Sequence, residues 1–151
     1  MASVADGAFY AAAPVAGDAG WGIIYAEDHE EKILQDDGVT EKPMTINEAW
    51  QMKQLMDTGN TPAGGIWFNK EKYTVHRIDL NYEGDKNTFA YAMAIRPARL
   101  RGQKGGGVHI VSTGSNIVAG FWDESKGQSS GNCMTPVLAF AEYLKSDDVG
   151  M

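Results

Sequence analysis

Residues 87–122 read NTFAYAMAIRPARLRGQKGGGVHIVSTGSNIVAGFW, and this stretch decides the fold class. Its first ten residues alternate, with Phe89, Tyr91, Met93 and Ile95 on one face of a strand and alanines on the other. A face of alanines leaves room for a closely packed helix. Two further apolar runs, 107–112 and 116–122, pair across Thr113-Gly114-Ser115 as a hairpin. The stretch is therefore an antiparallel meander with one side prepared for a helix.

The meander extends upstream. Residues 65–68 and 72–78 read as strands joined at Asn69-Lys70-Glu71. Before them, Thr45-Ile46-Asn47-Glu48 fits a capping box, in which the Thr hydroxyl and the Glu carboxylate serve each other's backbone amides. Ala49, Met52, Leu55 and Met56 follow at helical spacing and Gly59 ends the run, so a helix is predicted over 46–58. Residues 32–35 and Val39-Thr40 flank Asp36-Asp37-Gly38, a hairpin signal. Residues 8–13 (AFYAAA) read as a strand, and 21–26 (WGIIYA) are apolar without a decided type. Downstream, the polar loop DESKGQSSG leads into a helix over 132–146, with Val137, Leu138, Ala141 and Leu144 as its apolar stripe and Pro136 in its first turn. Helices before and after a meander make an α+β chain, read as a single domain over 1–151.

The 151 residues carry a formal net charge of -7, which opposes phosphate backbones and excludes generic nucleic-acid binding. One cysteine, Cys133, forms no internal disulfide and suits a reducing compartment. No run reaches the ~20 apolar residues of a membrane span. No basic segment precedes the small apolar run near the start, so no signal peptide is expected. A cytoplasmic, monomeric protein is the expectation.

Sites of chemistry are not evident. His29, His76 and His109 lack metal-ligand spacing, and His109 reads as a structural residue within a strand. Cys133 near a helix start gains nucleophilicity from the helix dipole, but no base accompanies it. The glycine-rich run 102–107 lacks the GK[ST] ending of a phosphate loop and precedes a strand, so it reads as a turn. Glu27, Asp28, Glu30, Glu31, Asp36 and Asp37 do not follow calcium-loop spacing. No catalytic residue, metal or cofactor is expected, and the chain reads as a binding module rather than an enzyme. One feature stands out from this acidic background. Arg96, Arg99, Arg101 and Lys104 cluster within nine residues, with Lys72 and Arg77 on a neighbouring strand. Such a patch suits an acidic protein partner.

RGQKGGGVHIVSTGSNIVAGFWDES (101–125) followed by GNCMTPVLAFAEYLKS (131–146) resembles the C-terminal half of profilins. GWGIIYAEDHEE (20–31), MTINEAWQMKQLMDTGNTPAGGIWF (44–68) and LAFAEYL (138–144) are similar to the profilins of apicomplexan parasites and their alveolate relatives, which carry an acidic hairpin insertion where residues 30–44 lie here. The resemblance implies a central antiparallel sheet with helices on both faces. It implies binding of monomeric actin and regulation of actin polymerisation. By position, it assigns actin contact to Lys72, Arg77, Arg96, Arg99, Arg101, Lys104, Ser129, Gly131 and Asn132, with Ser130 bordering the same helix. It also implies binding of proline-rich partners such as formins, at Tyr10, Tyr143 and Leu144.

The start ASVADG aligns with the end of the family's first central strand, so the family's N-terminal helix, with its half of the proline groove, is expected to be absent and proline binding weak. Phosphoinositide binding is expected to be weak against the net charge of -7. The competing reading is a small PAS-like ligand-sensing domain, which needs a pocket between sheet and helix.

Overall fold

The computed structural model describes residues 1–10, 26–35, 37–97 and 104–149. In chain order the elements are β1 (Ala2–Ser3), β2 (His29–Leu34), β3 (Glu41–Ile46), α1 (Glu48–Thr58), β4 (Ile66–Phe68), β5 (Glu71–Glu83), β6 (Thr88–Arg96), β7 (Gly106–Ser112), β8 (Asn116–Asp123), a 3-10 turn (Glu124–Lys126) and α2 (Ser130–Val149). Six strands form one antiparallel sheet in the order β1-β8-β7-β6-β5-β4. Strands β2 and β3 form a separate hairpin, in register from His29 opposite Ile46 to Leu34 opposite Glu41.

The alternation of β6 sorts two cores. Ala92 and Ala94 are fully buried with Met52, Leu55, Ile66, Val108 and Ile110, so α1 covers the alanine face. These side chains fill the space that a ligand-sensing domain keeps open. Phe89 and Tyr91 pack on the opposite face with Val111, Val118, Val137 and Ala141, under α2. Helices thus lie on both faces of a central antiparallel sheet, as the α+β reading expects. A third, small cluster of Ile33, Ile46 and Trp67 ties the hairpin to β4.

Several local expectations are corrected. The N-cap of α1 is Asn47, whose side chain accepts from the Trp50 amide at 2.9 Å, while Thr45 lies in β3. The capping-box spacing was satisfied, but strand pairing with Glu30 claims Thr45 first. Strand β5 runs past Ile78 to Glu83, through Asp79 and Asn81 that resemble turn residues, because Asp79 pairs with Tyr91 and the register shift between Asp79 and Tyr82 absorbs Asn81. Helix α2 starts at Ser130, so Pro136 sits inside it rather than in its first turn. Proline supplies no amide to the Asn132 carbonyl; both residues are exposed, and water can serve that oxygen. In the predicted strand 8–13, Phe9 makes an isolated bridge to Ala2, and residues 11–13 lie outside the described residues. Of residues 21–26, only Ala26 is described.

Two glycines admit close packing. A Cβ on Gly107 would meet the Trp122 ring at 2.2 Å, so Gly106 and Gly107 belong to β7 and are no flexible turn. A Cβ on Gly120 would meet Val137 Cγ2 at 2.1 Å. Gly120→Ala is expected to push α2 off the sheet and cost ~1–3 kcal/mol, the usual overpacking cost. A lower urea midpoint at unchanged slope checks this.

Candidate functional site

The face beneath α2 is assembled from β5, β6, β7 and the start of α2. On β5, Val75 pairs with Ala94 and Arg77 pairs with Met93, leaving His76 as an extra residue. Directly opposed residues share a face. Val75 packs in the alanine-face core, whereas Met93 packs in the core under α2. The bulge therefore turns Arg77 onto the α2 face. There its guanidinium lies 5.4 Å from the centre of the Tyr91 ring and 5.6 Å from that of Tyr82. Arg77 stays exposed, its charge held on two aromatic rings. Lys72, also exposed, pairs with Trp67 and shares its side of the sheet.

Across the same face, Ser129 caps α2. Its carbonyl accepts from the Cys133 amide at 3.0 Å and its hydroxyl oxygen from the Asn132 amide at 3.2 Å. Ser129, Gly131 and Asn132 are exposed. Behind them, His109 is fully enclosed. The Ser130 carbonyl can only accept, so His109 Nε2–H donates to it at 2.9 Å. The Tyr91 hydroxyl then donates to Nδ1 at 2.7 Å. These bonds fix a neutral ring. Burial lowers the His109 pKa from its ordinary value, partly countered by the bond to Ser130.

A stability effect follows. Below about pH 6.5 the unfolded chain, with an ordinary imidazole, binds a proton that the folded chain does not. Stability contributed by His109 is full above that pH and falls as pH drops toward its lowered folded pKa. The slope is at most ~1.4 kcal/mol per pH unit. Comparing urea unfolding of wild type and His109→Gln between pH 7.5 and 5 isolates it, with the steeper loss in wild type.

The other predicted basic residues behave differently. Arg96 does not face solvent. Its side chain is 15% exposed, with Nε 3.2 Å from Glu71 and Nη2 3.9 Å from Asp123, and it also bonds the Tyr73 hydroxyl. Lys104 is exposed just ahead of β7, and Arg99 and Arg101 lie outside the described residues. Cys133 is no activated nucleophile, since burial raises its thiol pKa.

At the far edge, Glu48 locks the hairpin side of the domain. Its buried carboxylate accepts from the Asn69 amide at 2.7 Å, the Lys70 amide at 2.8 Å and His29 Nε2 at 2.8 Å. Asn69 and Lys70 have φ of 51° and 63°, so this carboxylate holds a left-handed turn between β4 and β5. His29 Nδ1 faces Glu31 at 3.0 Å, and the ring packs edge-on against Trp67. Sequence reading assigned Glu48 to a cap. Its longer reach shows only when residues 48 and 69–70 are seen together.

The profilin family profile matches residues 16–149. The chain belongs to the profilin family. Curated profilins from two isolates of Plasmodium falciparum are each 30% identical to it over 150 residues, covering 95% of this chain and 82% of theirs. The sheet with a helix on each face is the profilin fold that the sequence led one to expect. No helix among the described residues is long and apolar enough to cross a membrane.

The residues that the profilin resemblance assigns to proline-rich partners fall in two places, the segment after β1 and helix α2. Tyr10 is about half exposed, its hydroxyl bonded to Asn116 at the start of β8. Tyr143 is 65% exposed on α2, while Leu144 packs into the core under that helix. An unforeseen partner is Phe140, one turn before Tyr143, exposed and stacked on it with centres 6.4 Å apart and planes 14° from parallel. The spacing of three residues on one helix was the available signal. An open groove of about 690 Å³, lined by Tyr82, Leu138, Glu142 and Tyr143 among others, runs beside this pair.

Proposed function

We infer that this chain binds monomeric actin and regulates filament assembly, through the face that carries Lys72, Arg77, Ser129, Gly131 and Asn132, with Lys104 exposed ahead of β7 as a further contact. The observation that carries this reading is the family match along residues 16–149. The geometry supports it. Two exposed cations on β5 and the capped start of α2 share one side of the sheet, in a chain whose net charge of -7 would otherwise repel an acidic partner. The site is a cytoplasmic one, and the working unit is a monomer. Pyrene-actin assembly tests the reading. Excess protein slows nucleation and changes barbed-end elongation; unchanged curves at saturating protein refute it.

A second contact, weaker, is with proline-rich segments such as those of formins. Exposed stacked rings at Phe140 and Tyr143 favour it, because a preformed polyproline helix docks on aromatic surfaces at low entropic cost. Titration with a decaproline peptide, followed by intrinsic fluorescence, is expected to show Kd about tenfold weaker for Tyr143→Ala, or ~1.4 kcal/mol. Vesicles bearing phosphoinositides are expected to bind weakly and to release on adding salt.

A further inference from the structure

The face read as the actin surface is built from two pieces of chain remote in sequence, Arg77 on β5 and the first turn of α2. Two buried side chains, Tyr91 and His109, lie between them. We propose that His109 is the positioning residue of this surface, holding the first turn of α2 in place relative to Arg77 through Tyr91 and the Ser130 carbonyl. It touches no partner itself, and the proposal rests on the actin reading of that face.

The links are continuous. Arg77 lies over the Tyr91 ring at 5.4 Å. The Tyr91 hydroxyl donates to His109 Nδ1, and Nε2–H donates to the Ser130 carbonyl, with the Ser130 hydroxyl 3.1 Å away. The Tyr91 ring, 22° from parallel with centres 5.9 Å apart, meets the imidazole at its Nδ1 edge, and Trp122 packs against it at 4.9 Å and 31°. Ser130 in turn directs its hydroxyl toward the Met93 sulphur on β6 at 3.9 Å. A ring packed against Trp122 and bonded at both nitrogens has one orientation. The turn carrying Ser129, Gly131 and Asn132 inherits it.

The chemistry of the position is specific. Only a group that accepts toward Tyr91 and donates toward Ser130 completes both bonds. A phenylalanine fills the same space and leaves the hydroxyl and the carbonyl unpaired. Glutamine presents both an acceptor and a donor. Protonation of His109 puts a hydrogen on Nδ1 and forces the Tyr91 hydroxyl to turn. The groups facing the ring are the Tyr91 phenol on β6, the Arg77 guanidinium of β5 beyond it, Trp122 on β8, and Ser130 on α2, with the Cys133 thiol of α2 near Tyr91. Among the described residues no carboxylate bonds the ring, so nothing compensates an imidazolium there, and burial disfavours it.

The test compares wild type, His109→Phe, His109→Gln and the milder Tyr91→Phe, each checked for a folded sheet by amide NMR. Actin Kd is measured from pH 8 to 5, because burial lowers the His109 pKa below its ordinary value. His109→Phe is expected to bind at least tenfold more weakly and Tyr91→Phe about threefold. His109→Gln is expected to recover affinity to within threefold of wild type. Wild-type affinity falls as the His109 ring protonates, read from its nitrogen shifts, and the glutamine variant lacks that pH profile. Should His109→Phe fail to fold, Tyr91→Phe and the pH profile decide. Wild-type binding matched by a folded His109→Phe or by Tyr91→Phe overturns the relay alone. A wild type that binds no actin overturns the surface reading instead. In that case the nitrogen shifts and amide exchange at 131–134 still report whether His109 holds the turn.

Discussion

Glu48→Ala lowers the unfolding free energy by ~3–5 kcal/mol, the range for breaking a buried charged network on one side. The carboxylate is 7% exposed and accepts from two backbone amides and from His29. Alanine removes the Glu48 acceptor from all three donors at once. The Asn69 and Lys70 amides then lose what holds their left-handed turn, and His29 keeps only Glu31. For a domain of this size each kcal/mol shifts the melting temperature by ~2–4 °C, so a drop of roughly 6–20 °C is expected. Glu48→Gln keeps the shape and part of the acceptor capacity and costs less. The loss has an address as well as a size. Amide exchange accelerates first in β2–β3 and at the β4–β5 turn, and last in β6 and β7. Uniform acceleration through the sheet, or a loss below ~1 kcal/mol, would show that the carboxylate is not the lock.

Arg77→Glu weakens actin binding by ~30-fold or more, about 2 kcal/mol, the lower bound for an interfacial arginine anchor. The charge rests on the Tyr82 and Tyr91 rings, so little side-chain freedom remains to be lost on docking. Reversal removes the attraction and sets a carboxylate against an acidic partner. Titration calorimetry at two salt concentrations checks it. The wild-type affinity falls with salt, and the variant's falls less. Arg77 is exposed, so urea unfolding of the variant loses only the two ring contacts, ~1–2 kcal/mol, and the protein stays folded. Equal affinity of the two proteins removes Arg77 from the surface.

The cores were legible in the sequence because period is a local property. Phe89 and Tyr91 against Ala92 and Ala94 separate two faces without any long-range knowledge, and both faces found their helix. The hairpin turn at Gly38 was legible for the same reason, as its φ of 73° is one that glycine adopts freely. What escaped was every feature that depends on residues far apart in the chain. Glu48 reads as a capping residue until Asn69 and Lys70 arrive beside it. Arg96 reads as part of a basic patch until Glu71 and Asp123 flank it. His109 was read as structural, and its enclosure agrees; that it bonds the start of α2 depends on Ser130, 21 residues away. Phe140 was overlooked although its spacing from Tyr143 was visible, because one apolar helix face already accounted for the run.

The extra residue at His76 makes β5 a strand that counts. Along an uninterrupted strand, odd and even positions go to opposite sides; here one uncounted residue exchanges the two sides between Val75 and Arg77. Were His76 paired in plain register instead of left over, Arg77 would fall on the side of Val75 and its guanidinium would meet the apolar packing against α1. Comparisons among relatives inherit the same arithmetic. An alignment that closes this single position matches Arg77 to residues that look the other way, and charge at the surface then comes and goes where only the count has changed.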